Sequence, residues 1–142
     1  MSGSNTPWEG LAVDSKPRRM ELRHPNTGEV IRDAEGNPAF IDLYSSDDPV
    51  ADHVRRDLYD DVMSPSKGRK NKPRLSMEEA FESQANLMAA LTASWYLVDP
   101  RTKEPIAIEC NYENCKKVYG DRRVLWIREQ ADEFANDRAN FF

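Results

Sequence analysis

The sequence predicts an α+β fold, mostly helical, in which a small N-terminal antiparallel strand meander packs on three or four helices. Three observations predict it. Apolar and polar residues alternate between Met20 and Tyr44, with turn chemistry interrupting twice. Helix-start signals at Asp48, Ser76 and Asp121 are each followed by apolar residues three or four apart. The length of 142 residues suits one core of ordinary size, not two.

Residues 1–19 mix Ser, Gly, Pro and charge without a sustained period and are expected to be a flexible tail. Trp8, Leu11 and Val13 are its apolar exceptions, suited to docking on the domain or to a short linear binding element. The domain itself is expected over 20–142. Met20-Glu21-Leu22-Arg23-His24 alternates, and Pro25-Asn26-Thr27-Gly28 supplies a turn. Glu29-Val30-Ile31-Arg32 resumes the extended pattern, Asp33-Ala34-Glu35-Gly36-Asn37 turns again, and Ala39, Ile41 and Leu43 alternate with Phe40, Asp42 and Tyr44. Two or three such strands are marginal alone and need helices to cover them.

Asp48-Pro49 opens the first helix, since Asp48 accepts from free backbone amides and proline fits the first helical position. Val50, Val54, Leu58 and Val62 make its apolar stripe, and Ser64-Pro65 ends it. Residues 64–74 then form an exposed basic loop with Lys67, Arg69, Lys70, Lys72 and Arg74. Ser76-Met77-Glu78-Glu79 has the pattern of a reciprocal cap, and a long central helix is expected from Met77 to Trp95. Ile106-Ala107-Ile108 reads as a brief extended piece. Asn111 caps a short helix that Gly120 is expected to end in the left-handed conformation. After Asp121, the spacing of Val124, Ile127, Ala131, Phe134, Arg138 and Phe141 predicts one helix to the last residues, with Phe141 on its buried stripe.

Composition bounds the function. A net charge of −5 argues against a dominant phosphate-binding role. No apolar run reaches the roughly 18 residues of a membrane span, and MSGSNTPWEG has neither a basic leader nor an apolar signal core, so no membrane association and a cytosolic location are expected. Cys110 and Cys115 stand at a spacing that common zinc patterns do not use, and read as reduced side chains at a helix edge.

No reactive constellation emerges, so the chain is expected to be neither an enzyme nor a cofactor or metal binder. The pairs Asp47-Asp48, Asp60-Asp61 and Asp132-Glu133 are adjacent, so on a helix they diverge by about 100°. They read as caps or solvated faces. His24 and His53 have no nucleophile placed by a recognisable pattern, and the glycines are scattered rather than gathered in a phosphate loop. The basic loop fits an electrostatic contact with nucleic acid, or a plain solvated linker, and it lacks aromatic residues for base stacking. Trp126 and Phe142 fall off the last apolar stripe and are expected either to form an apolar docking edge or to pack on the meander.

Two segments carry a resemblance. The run MELRHPNTGEVIRDAEGNPAFIDLYSSDD, residues 20–48, is similar to the opening of small tail assembly proteins of long-tailed bacteriophages, with its "RHP-TGE" and "D-GNP" turns. The run VYGDRRVLWIREQADEFANDRANFF, residues 118–142, resembles their ending, a short element leading into W-x-x-x-Q-x-x-x-F-x-x-D-x-x-x-F. The matching positions are Trp126, Gln130, Phe134, Asp137 and Phe141. The resemblance implies a tail assembly chaperone: a protein made in the infected cell that binds the tape measure protein, helps deliver tail tube subunits and performs no reaction. Trp126, Gln130, Phe134, Phe141 and Phe142 are then the candidate partner-binding residues. Self-association into a ring or spiral fits the same reading. The extended tail and the Lys-rich loop depart from the pattern, which keeps open a structural component retained in the virion or, through the basic loop, a small nucleic-acid-binding regulator.

Overall fold

The alternation around Met20 forms strand β1, Arg18–Glu21, and that around Ile41 forms strand β2, Phe40–Leu43. The two pair antiparallel, with Met20 opposite Ile41 and Arg19 opposite Asp42. The computed structural model describes residues 6–12, 15–63 and 76–142, without the side chains of Leu58, Asp61, Val62 and Met63. The expected basic loop, with Lys67, Arg69, Lys70, Lys72 and Arg74, therefore lies outside the described residues, as does Val13.

Between the strands, the segment expected to be a middle strand makes only isolated bridges, Arg23 with Val30 and Arg32 with Pro38. A closed ring of three backbone hydrogen bonds takes the place of a ladder. Leu22 N–H donates to Ala39 O at 3.0 Å, Ala39 N–H to Ile31 O at 2.8 Å, and Ile31 N–H to Leu22 O at 2.9 Å. All three side chains are buried, so each backbone amide there needs a protein partner, and the ring supplies one to each. Gly28 and Gly36 sit in the two expected turns at φ 75° and 88°, where a side chain would be strained.

Asp48 caps a 3-10 turn, Pro49–Ala51, by accepting from Val50 N–H at 2.9 Å, and helix α1, Asp52–Met63, follows. Within its expected stripe Val54 is buried and Val50 is partly exposed, and Leu58 and Val62 lie outside the described side chains. Arg55 straps this corner together by donating to the carbonyls of Ser46 and Asp48. The strand boundary lies earlier than expected, because Arg18 and Arg19 belong to β1 and Ser15 Oγ already hydrogen-bonds Asp48 Oδ2 at 2.8 Å. Upstream, Trp8 and Leu11 flank or occupy a short turn, Glu9–Leu11, and both are exposed.

Helix α2, Met77–Leu91, begins with the full reciprocal cap: Ser76 Oγ accepts from Glu79 N–H, and Glu79 accepts from Ser76 N–H. It touches α1 and the helices that follow, so it is central as expected. It does not continue to Trp95. The chain passes without a loop into strand β3, Thr92–Tyr96, which pairs antiparallel with β2 and completes a sheet of order β1-β2-β3. Thr92 makes the switch: its Oγ1 donates to Met88 O at 2.9 Å, closing the last helical turn, while its backbone is extended. The following Ala-Ser-Trp-Tyr run has aromatic residues suited to a half-buried strand. Ile41, Leu43, Leu91, Leu97 and Val98 then share one core.

The Ile106 piece is bound to Leu97 O by its own N–H, with Val98 bridged to Pro105. Helix α3, Tyr112–Tyr119, is capped by Asn111, which accepts from Asn114 N–H at 2.8 Å. It packs against α2, on which Ala85 and Ala89 are buried, and the fully buried Tyr119 reaches Thr92 Oγ1 at 2.7 Å. Because Thr92 has one proton and gives it to Met88, Tyr119 is the donor in that pair. Asp121 caps a 3-10 turn, Arg122–Val124, and helix α4 covers Leu125–Asn136.

Gly120 is a correction in mechanism. It ends α3 at φ −89°, ψ −3°, not in the left-handed region. Its requirement is space, since a Cβ there would lie 2.9 Å from Lys116 O. Gly120→Ala is expected to destabilise by about 1–3 kcal/mol although alanine is the better helix former, read as a lower urea midpoint at unchanged slope.

Candidate interaction surface

The last helix does not run to the end of the chain. Asp137 breaks it, accepts from Ala139 N–H at 3.1 Å and starts a 3-10 turn, Arg138–Phe141. The tighter turn still brings Phe141 inward. It is fully buried and meets Phe134 edge-on, ring centroids 5.7 Å apart. Phe142, one residue on, is 72% exposed.

Gln130 has a specific task. His24 N–H donates to Glu29 O and Ile31 N–H to Leu22 O, which leaves the Arg23 amide and carbonyl facing away from that hairpin. Gln130 takes both, accepting from Arg23 N–H at 2.9 Å and donating to Arg23 O at 2.7 Å. A side-chain amide thus stands in for a neighbouring strand. Two further contacts join the same regions: Ser46 N–H donates to Ala135 O at 2.8 Å, and Arg138 pairs with Asp47 at 2.6 Å. Trp126 and Phe134 are half-buried against the core. Of the five candidate partner-binding residues, Gln130 and Phe141 are therefore engaged inside the fold, Trp126 and Phe134 lie mostly along it, and Phe142 alone is largely free.

An open groove of about 470 Å³ between α2 and α3 was not anticipated. Phe81 and Ala85 contribute apolar lining, and Glu78, Glu82, Glu113, Lys116 and Arg122 contribute charge. The guanidinium carbons of Arg122 and Arg128 lie 4.0 and 4.2 Å from the Phe81 ring centroid, so this aromatic is clasped by two cations. Arg122 also pairs with Glu78 at 3.5 Å and Lys116 with Glu113 at 3.3 Å. Met77, the residue before Glu78, is 88% exposed. Paired charges around an apolar strip suit a peptide or helix laid across the surface. The available sequence signal was the spacing of Glu78, Glu82 and Phe81 on α2, and it says nothing of α3 opposite.

The acidic residues that stand out electrostatically serve the fold. On the outer sheet face Asp42 accepts from Arg19 at 2.9 and 3.1 Å and from Ser94 Oγ at 2.7 Å, and Arg19 also lies 3.5 Å from the Phe40 centroid. Those bonds, Arg19's foremost, hold Asp42 below the usual carboxylate range. Asp33 organises its turn by accepting from Tyr96 Oη at 2.6 Å and from the Glu35 and Asn37 amides, and the Tyr96 bond leads in lowering it. Asp121 is brought to about 2, chiefly by Arg123. Of the adjacent pairs, Asp48 caps, Asp47 binds Arg138 and Asp132 accepts from Asn136. His24 Nδ1 accepts from Asn26 N–H, and His53 lies against Tyr112. Among the described residues no three His, Cys, Asp or Glu side chains gather as a metal site would require, and no helix is long and apolar enough to cross a membrane.

Comparison of the chain with protein-family models, curated proteins and solved structures gives no match in any of the three.

Two outcomes are expected. Phe141→Ala should cost about 3–5 kcal/mol in chemical denaturation, whereas removal of Phe142 alone should change stability by less than about 0.5 kcal/mol. Equal effects would contradict the placement of the two rings. For acid, the sign follows from the lowered carboxyls: their contribution is complete above the unfolded value near 3.8 and is lost as pH falls through the folded values, about 2 for Asp121. The urea midpoint should therefore drop between about pH 5 and pH 2, and Asp33→Asn should flatten that drop.

Proposed function

We propose that this protein is a tail assembly chaperone of a long-tailed bacteriophage, which binds the tape measure protein in the host cytoplasm and assists tail tube assembly. The observation that carries the reading is a coincidence of two independent facts. The segments that resemble the family, 20–48 and 118–142, lie far apart in sequence, yet they are the two that Gln130, Ala135 and Arg138 join to Arg23, Ser46 and Asp47. A resemblance confined to one contiguous substructure is what shared descent of a folding unit would leave. Unrelated texture has no reason to do so.

The action is passive. A tape measure protein with an apolar face aggregates unless covered, and a small acidic partner holds it soluble until tube subunits displace the cover. On this reading the α2–α3 groove and exposed Met77 receive the apolar face, while the charged rim keeps the complex in solution.

Co-expression with a tape measure protein encoded beside it should convert that protein from insoluble to soluble and yield a co-purifying complex. Met77→Asp should weaken the complex about tenfold or more without lowering the thermal midpoint. A tape measure protein that stays insoluble beside this partner sinks the proposal, and many stoichiometric copies in purified particles would replace it with a structural virion component.

A further inference from the structure

The sequence holds two cysteines, and their sulfurs stand 3.8 Å apart. The backbone fixes this proximity. Cys115 N–H donates to Asn111 O at 2.8 Å, Asn111 Oδ1 accepts from Asn114 N–H at 2.8 Å, and Asn114 Nδ2 donates to Glu109 O at 2.9 Å. The segment ahead is held in turn by Trp95 Nε1, which donates to Ile108 O at 3.0 Å. Access differs between the two. Cys115 is fully buried on α3, while Cys110 is partly exposed.

We propose that Cys110 and Cys115 form an oxidation site, at which a small-molecule disulfide converts the two thiols into an intrachain disulfide. Cys110, the reachable sulfur, attacks one sulfur of the small disulfide as its thiolate and expels one small thiolate, giving a mixed disulfide. The Cys115 thiol then loses its proton to the expelled thiolate, and its sulfur attacks that of Cys110, releasing the second small thiolate, which takes from solvent the proton that Cys110 gave up. Two electrons and two protons leave the protein, and the small disulfide becomes two thiols.

The bond needs the sulfurs to close from 3.8 Å to about 2.0 Å. Because the capped turn has already ordered the intervening residues, the second step is intramolecular at high effective concentration and outruns release of a stable adduct. Burial raises both thiols, so few thiolates exist at neutral pH and the reaction accelerates as pH rises. The product ties the Ile108–Cys110 segment, and through Trp95 the third strand, to α3.

The folded full-length chain is treated with oxidised glutathione at about pH 8.5, followed by thiol titration, intact mass and non-reducing peptide mapping. Wild type should become a monomer without titratable thiols, with Cys110 and Cys115 in one linked peptide and no glutathione attached. Cys115→Ser, or Cys115→Ala where serine disturbs the core, should instead accumulate the glutathione adduct on Cys110. Cys110→Ser should react at Cys115 about tenfold more slowly or less. Wild type that stops at the Cys110 adduct, keeps both thiols, or links only between chains overturns the proposal.

Discussion

The junction between α4 and the N-terminal meander is the constraint on which the rest of the structure depends. A three-stranded sheet this small cannot stand alone, and its inner face needs apolar cover. Ile127, Ala131 and Ala135 from α4 join Met20, Ile41 and Leu43 in the core. Apolar packing gives the adhesion but not the register, because burial is non-directional. Gln130 supplies direction: both of its amide atoms are committed to Arg23, so sliding α4 by a turn would break two directional hydrogen bonds. Each such bond contributes about 0.5–1.5 kcal/mol, and because both lie at exposed Arg23 a shifted register forfeits that contribution without leaving a buried group unmatched. At the far end of the helix, the Arg138–Asp47 pair is exposed on both sides, so it is worth at most about 1 kcal/mol. The buried Phe141 ring, at about 1.5–3 kcal/mol, is the anchor there.

How much of this was legible in the sequence follows from the range of the interactions involved. Caps are local, and Asp48, Ser76, Asn111 and Asp121 each accept the backbone amide that their position predicts. The α+β class was also legible, since period-two and helical spacing occupy different stretches of the chain. The helix-to-strand change at Thr92 was not. Trp95 continues the apolar spacing of Phe81, Met88 and Leu91, and nothing local distinguishes a longer helix from a strand. What decides is β2, fifty residues upstream in the chain, whose Asp42 receives Ser94 and whose neighbouring turn offers Asp33 to Tyr96. The same logic explains why the middle of the meander is a ring of three bonds and not a strand: Leu22, Ile31 and Ala39 satisfy one another where β3 has taken the available ladder.

The candidate partner residues were legible by type but not by task. Position in the stripe identified Phe141 correctly as buried, although a 3-10 turn rather than a continued helix delivers it. Gln130 could not be assigned from sequence, because a glutamine on a helix carries no mark of the backbone groups it will meet. The α2–α3 groove was invisible for a related reason. It is made by two elements separated by β3 and the Ile106 segment, and its charges look like ordinary solvated faces until Phe81 is seen clasped between Arg122 and Arg128.

These placements shift where binding capacity lies. A residue cannot both hold the fold and be given to a partner at full strength, since withdrawing Phe141 or Gln130 would release the junction on which the sheet relies. Among the described residues, Phe142, Met77 and the groove remain available on the surface, beside other exposed apolar side chains such as Leu11 and Tyr59. Phe81 illustrates the division: its ring is pinned by two guanidinium groups, so it contributes apolar lining with little freedom to lose when something settles on it. A partly apolar face with paired charges around it suits shape-selective contact with another chain, while two of the depressed carboxylates, Asp42 and Asp33, are engaged by the sheet and its turn and the third, Asp121, by Arg123 in the turn that leads into α4.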